Sequence, residues 1–255
     1  MSSLGKQILF VAAGLILTLM VACSVKPTTG LTVLAPDYLQ GIMKRAGEQF
    51  ELETGIPVRF IYDGGHNIVE RAGREARVDV LLSNNLKRFT NLKDDSLIMR
   101  HTIACPFSLS LLLVGHNRNI HLEKPEELLD GRFRRIVIIN PESGYEGPLG
   151  QSALKRCGLW DKVKGKTILA GDSDHLLTYL ISGEAEAGIV LEISLVGYRG
   201  FTPLLNLDEF VGEHLRHCGA IKSDSRYPES GQAFLDFLAS GECAIYKIRG
   251  IRPGG

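Results

Sequence analysis

Leu31-Thr-Val-Leu-Ala-Pro-Asp-Tyr-Leu39 and Val78-Asp-Val-Leu-Leu-Ser83 decide the fold class. Leu31 to Ala35 is a short apolar strand. Beyond it Leu39, Ile42, Met43, Ala46 and Phe50 recur at helical spacing, and Thr54-Gly55 stops that helix. Pro57 to Tyr62 is a second strand, ending in Asp63-Gly64-Gly65-His66-Asn67, where Asn67 can cap a helix with Ile68, Val69 and Ala72 on its apolar side. Val78 to Leu82 is a third strand, continuous and β-branched enough to be buried on both faces. Strands joined by helical crossovers predict an α/β fold, a mainly parallel sheet with helices on its faces.

The second half repeats the theme in different residues. Phe107 to Val114, Arg135 to Ile139, Thr167 to Ala170 and Gly188 to Leu195 read as strands. Helices follow at Pro125-Glu-Glu-Leu-Leu129, from Pro148 to about Arg156, and from Asp172 or Ser173 through Leu176, Leu177, Leu180 and Ile181. The last clear helix is Gln232 to Ala239. Two sheets of this kind predict two lobes: 31–105 with 210–250 as lobe I and 106–209 as lobe II, with crossings near Pro106 and Gly219. In open α/β sheets ligands bind at the strand C-termini, where loops present helix N-termini. Ala35 to Leu39, Asp63 to Asn67, Pro141 to Pro148 and Gly171 to Asp174 meet that description.

Ahead of this body, Lys6 and the amino terminus precede an apolar run from Ile8 to Val21, and small Ala22 precedes Cys23. That is the pattern of a secretory signal peptide, 1–22, with a cysteine at the cleavage site. Met20-Val-Ala-Cys23 resembles a bacterial lipobox, which implies lipid on Cys23 and a short tether over 23–30. The apolar run is shorter than the ~20 residues a membrane span needs. The expected location is therefore the extracytoplasmic face of the cell envelope, anchored by lipid.

Lys and Arg number 29, as do Asp and Glu, so no long-range field draws nucleic acid or an anionic membrane face. Cys105, Cys157, Cys218 and Cys243 stand far apart without a C-x-x-C. They read equally as disulfide partners in an oxidising compartment or as buried thiols.

The strand–loop series Leu31 to Leu39 and Val78 to Ser83 continues in Asn140-Pro141, Ala153-Leu154, Gly158-Leu-Trp-Asp-Lys162, Gly183-Glu-Ala185, Gly188-Ile-Val190 and Ala233-Phe-Leu-Asp-Phe-Leu238. In this order the segments resemble the periplasmic molybdate-binding proteins over about 31–250. The resemblance implies a two-lobed periplasmic binding protein fold, a ligand delivered to an ABC importer permease, and a monomer with no cofactor. That family holds a tetrahedral oxyanion with serine hydroxyls, backbone N–H groups and one tyrosine. Carried over by position, the first serine falls at Tyr38 beside Asp37, and the second in Gly65-His66. The backbone donors fall near Glu146 and Ser173, and the tyrosine falls at Leu191 beside Glu192. The hydroxyls are replaced and carboxylates are added. A carboxylate ~5 Å from a dianion costs roughly 6–7 kcal/mol at an effective dielectric of ~20, against ~1.5–3 kcal/mol for one hydrogen bond to a charged group. The sequence therefore leaves an oxyanion, by resemblance, beside a metal cation or a zwitterionic solute, by residue chemistry.

Other groupings carry less. Asp37 also serves as a helix cap, His66 as a solvated loop residue, and Gly64-Gly65 as a turn. His214 and His217, three apart beside Cys218, have zinc-like spacing on an expected helix but lie outside the four loops. Asp172, Asp174 and His175 offer acid–base groups for an extracytoplasmic enzyme, yet capping explains the aspartates. No G-x-S-x-G, H-E-x-x-H, Walker A or G-x-G-x-x-G pattern is present.

Overall fold

The computed structural model describes residues 30–64, 68–75, 77–84, 86–92, 96–117 and 120–254. The expected signal peptide, Cys23, Gly65, His66 and Asn67 lie outside them. In chain order the main elements are β1 (Leu31–Pro36), α1 (Gln40–Thr54), β2 (Val58–Asp63), α2 (Ile68–Arg74), β3 (Val80–Ser83), α3 (Leu86–Thr90), β4 (Ala104–Leu109) and β5 (Leu111–His116). There follow β6 (Ile136–Ile139), α4 (Gly147–Arg156), α5 (Trp160–Val163), β7 (Thr167–Ala170), α6 (Ser173–Ile181) and β8 (Ala187–Leu191). The chain closes with β9 (Phe201–Asn206), α7 (Asp208–Val211), β10 (Arg216–Ile221), α8 (Pro228–Ala239) and β11 (Ile251–Pro253).

Two sheets result, ordered β11-β4-β10-β3-β1-β2 and β7-β6-β8-β5-β9. Each has the parallel heart expected from its apolar runs: β1 between β2 and β3, and β6 between β7 and β8. The strands that carry the chain between lobes run the other way. β10 pairs antiparallel with β3 and β4, and β5 with β8 and β9, so each sheet is mixed. Every residue of β1, β3 and β6 is buried, as fits strands covered on both faces. On the first sheet α1 buries Ile42, Met43, Ala46 and Phe50, and Phe50 meets Phe234 of α8 edge-on at 5.2 Å. Gly47 lets α1 approach, since a Cβ there would lie 2.7 Å from the Phe60 ring.

The passages between sheets differ from the places expected. Phe107 to Val114 is two strands in different sheets, parted at fully buried Ser110. Pro106 lies inside β4 and Gly219 inside β10, where a Cβ would fall 2.6 Å from Leu235 and 2.8 Å from Leu82. The return passage runs between β9 and β10. One residue ties the two passages together: Asp208 accepts from Ser110 Oγ at 3.1 Å and from the Leu111 N–H at 2.7 Å.

His214 and His217 do not share a helix. Residues Gly212–Leu215 form a single tight turn, and Arg216 begins β10, because the backbone there pairs with strands on both sides. Cys218 in β10 is bonded to Cys105 in β4 across that pairing, whereas Cys157 and Cys243 are free thiols. This link closes a separation of 113 residues, and the loop-entropy argument gives it weight. Alkylation of the unreduced, denatured chain is expected to mark Cys157 and Cys243 and to spare Cys105 and Cys218 until reduction. Replacing Cys218 by Ala is expected to lower unfolding stability by about 2–5 kcal/mol, read from urea midpoints.

Candidate functional site

Loops at the strand C-termini of both sheets converge on a cavity of about 210 Å3. The end of β1 brings Asp37 and Tyr38; the loop after β6 brings Ser143, Gly144, Tyr145 and Glu146; the loop after β7 brings Gly171, Asp172 and Ser173. Three of the four expected loops thus meet. The fourth, after β2, is described only through Gly64, and there Asp63 is paired with Arg71 at 3.1 Å.

Two aromatic rings join the lobes. Tyr38 stacks on Tyr145 with centroids 4.3 Å apart and planes 16° apart. Their hydroxyls are committed elsewhere. Tyr145 O–H donates to the His214 carbonyl at 2.7 Å, and the Tyr38 hydroxyl lies 2.9 Å from His217 Nε2. His217 Nδ1 faces the Leu215 carbonyl at 3.0 Å and must donate to it. Burial pushes the His217 pKa down to about 4, so the ring is neutral, and Nε2 accepts from Tyr38 O–H. Phe107 stacks on a face of that ring, centroids 4.9 Å apart. Both phenols are held well above their ordinary pKa by burial, helped at Tyr38 by Tyr145 and Asp37 and at Tyr145 by Glu146. Toward the cavity the pair therefore offers ring faces and oxygen lone pairs, with no hydroxyl proton to spare.

The carboxylates define the rest. Glu146 is the N-cap residue of α4 and Asp172 that of α6. Glu146 Oε2 accepts from Ser173 Oγ at 2.7 Å, and Oε1 from Ser194 Oγ at 3.4 Å. Burial raises the Glu146 pKa, the two serine hydroxyls oppose that, and Asp172 and Asp174 add to it. Asp172 Oδ1 caps α6 through the His175 N–H at 2.8 Å, and its Oδ2 lies 3.0 Å from His175 Nδ1. Asp37 Oδ1 accepts from the Tyr38 N–H at 2.8 Å. Each helix N-terminus at which an anion would be favoured already has a carboxylate of the chain beside it.

Of the residues singled out in the sequence, Asp37, Tyr38, Glu146 and Ser173 line this cavity together. Leu191 is fully buried at the end of β8, in the core. Glu192 is turned to Arg249, with which it forms a close ion pair, and does not line the cavity. His217, set aside in the sequence because it lies outside the four loops, is fully buried and holds Tyr38. Ser194, also unforeseen, serves Glu146. Among the described residues no cluster of three His, Cys, Asp or Glu side chains could hold a metal ion, and no helix is long and apolar enough to cross a membrane.

Comparison with known proteins shows a family. A model of bacterial extracellular solute-binding proteins matches residues 31–246. YvgL of Bacillus subtilis strain 168, named as an ABC transporter substrate-binding lipoprotein, is 21% identical over 246 residues, covering 93% of this chain and 94% of that one. The molybdate-binding protein ModA of Escherichia coli K12 is 23% identical over 228 residues, with 86% and 88% covered. A solved chain from Clostridium difficile, named as the substrate-binding domain of a molybdenum ABC transporter, superposes with a TM-score of 0.78 at 20% identity. That match covers 89% of this chain and 99% of the other.

The buried imidazole has a measurable consequence. Unfolded, His217 titrates near 6.5; folded, near 4. Between those values the unfolded chain binds more protons, so this stabilisation is complete above the upper value and is lost as pH falls toward the lower. The loss is expected to reach up to about 3 kcal/mol. Urea unfolding across that window, compared with His217→Gln, checks it: the variant should lack this part of the acid slope.

Proposed function

The chain belongs to the bacterial extracellular solute-binding protein family, and on that footing we propose that it is a lipid-anchored capture protein for an ABC importer whose solute carries positive charge. The observation that carries the charge assignment is the Glu146 carboxyl at the mouth of α4, held by Ser173 and Ser194. In the molybdate-binding pattern, backbone donors near Glu146 and Ser173 serve the ligand oxyanion. Here Ser173 and Ser194 donate to a carboxyl of the chain itself. With Asp37 and Asp172 on the same cavity, the site is rich in acceptors and poor in side-chain donors. An ammonium group complements it: carboxylates supply charge, and the Tyr38 and Tyr145 ring faces supply cation–π attraction of ~0.5–2 kcal/mol. An organic cation or zwitterion fits these groups better than a caged metal ion, given the ligand types brought together.

Capture needs no bond-making. The chain would close by turning one sheet against the other at Ser110 and the β9–β10 passage, the two places Asp208 fastens together. Cys23, in the lipobox-like segment, would carry the lipid, and the body would hand its solute to a permease. Asp172 and His175 are here a helix cap and its partner, and the enzyme reading draws no further support from them. The second reading, an oxyanion, is favoured by the two relatives named for molybdenum or molybdate and by the convergence of the α4 and α6 N-termini.

A calorimetric panel of polyamines, amino acids, molybdate, tungstate, sulfate and phosphate separates the two. A cation pairs with ionised Glu146, so its affinity is expected to rise with pH through the raised Glu146 titration and then level off. An oxyanion would show the reverse. Glu146→Gln is expected to weaken cation binding by about tenfold or more, one charge-assisted contact being worth ~1.5–3 kcal/mol. Sub-micromolar molybdate binding by the unmodified chain would contradict the assignment.

A further inference from the structure

At the end of the first sheet opposite the cleft, β1, β2 and β3 begin and β10 ends. A second cavity opens there, about 390 Å3 in volume, and Arg59, Arg77 and Arg226 line it. Its acidic residues are engaged. Asp79 accepts from the Thr32 N–H at 2.9 Å and from Ser225 Oγ at 2.8 Å, and Asp224 pairs with Lys222 at 3.1 Å. The three guanidinium groups are exposed, and among the described residues none has a carboxylate within ion-pair distance. That sets them apart from Arg71, Arg132, Arg134, Arg249 and Arg252, each of which faces one.

The cavity lining, three arginines against Asp79 and Asp224, is net positive by one, in a chain that is balanced as a whole. It is also concave and built from planar forks, the geometry that grips phosphate oxygens pairwise. Its position adds a source for the ligand. Gly30 lines the same cavity, directly before β1, so the segment that leads back to Cys23 departs from its rim. Seven extended residues reach at most ~25 Å, which keeps this end of the body near a bilayer if Cys23 carries lipid.

We propose that the Arg59–Arg77–Arg226 cavity binds a phosphate ester, with the head group of an anionic phospholipid as its natural source. Docked so, the body rests on its tether end and the cleft at the other end of the same strands opens away from the bilayer toward arriving solute. The lipid source rests on the tethered reading above; the phosphate chemistry does not, and the two arms of the test separate them.

The full chain is purified in non-ionic detergent and also reconstituted into vesicles of phosphatidylcholine with and without phosphatidylglycerol. Backbone hydrogen exchange is then followed at 77–79 and 224–227. Phosphatidylglycerol is expected to slow exchange there relative to phosphatidylcholine alone. In detergent, glycerol 3-phosphate is expected to do the same. The triple variant Arg59→Gln, Arg77→Gln, Arg226→Gln should weaken both effects about tenfold or more, while Arg45→Gln, on α1, should not. Unchanged exchange in Gln40–Thr54, which packs on the same sheet, shows that the triple variant keeps its fold. Protection by glycerol 3-phosphate alone supports the site and names a free phosphate ester as its ligand. No protection by either, or protection that persists in the triple variant, overturns the proposal.

Discussion

The hydroxyl of Ser173 donates to the Glu146 carboxyl across 2.7 Å, and the character of the cleft follows from that contact. Ser173 opens α6, and Glu146 stands just before α4, its carboxyl turned to Ser173 and Ser194 and not to the N–H groups of its own helix. Two helix N-termini converge there, an arrangement that ordinarily invites an anion from solution. The chain supplies its own. A half-buried carboxyl with a raised pKa is held in place by two serines, so an acceptor stands where the resemblance led to the expectation of a donor.

That substitution propagates. The resemblance leads one to expect a serine at Tyr38, and the phenol there reaches across to stack on Tyr145. Stacking requires Tyr38 to be fixed, and His217 fixes it by accepting a hydrogen bond from its hydroxyl while its other nitrogen is tied to Leu215. His217 stays where it is because β10 is paired on both sides and bonded through Cys218 to β4. The geometry of the lobe-to-lobe contact is thus set from within the core of the first sheet. The passages at Ser110 and Asp208 add the second constraint, since they fix where one sheet can turn against the other.

Local patterns made much of this legible. The wholly apolar runs of β1, β3 and β6 and the helical spacing of α1 and α6 gave the parallel hearts of both sheets, and their strand-end loops gave the cavity. What escaped depended on distant partners. The run from Phe107 to Val114 is apolar throughout, and its break at Ser110 is imposed by Asp208, 98 residues away. His214 and His217 have helical spacing, while the strand that claims His217 is specified by β3 and β4. The apolar run Cys218-Gly-Ala-Ile221 just after it was the available signal for a buried strand. Glu192 follows β8 as the resemblance implied, but Arg249, 57 residues on, turns it away from the cavity.

The central claim is that a carboxyl of the chain takes the place of a bound oxyanion, and carbon-13 NMR of the Glu146 carboxyl tests it most directly. This resonance is expected to titrate above the ordinary glutamate range in the empty protein, to move to lower pH when putrescine or another bound ammonium compound is added, and to ignore molybdate. An ordinary titration, or one driven still higher by molybdate, would contradict it.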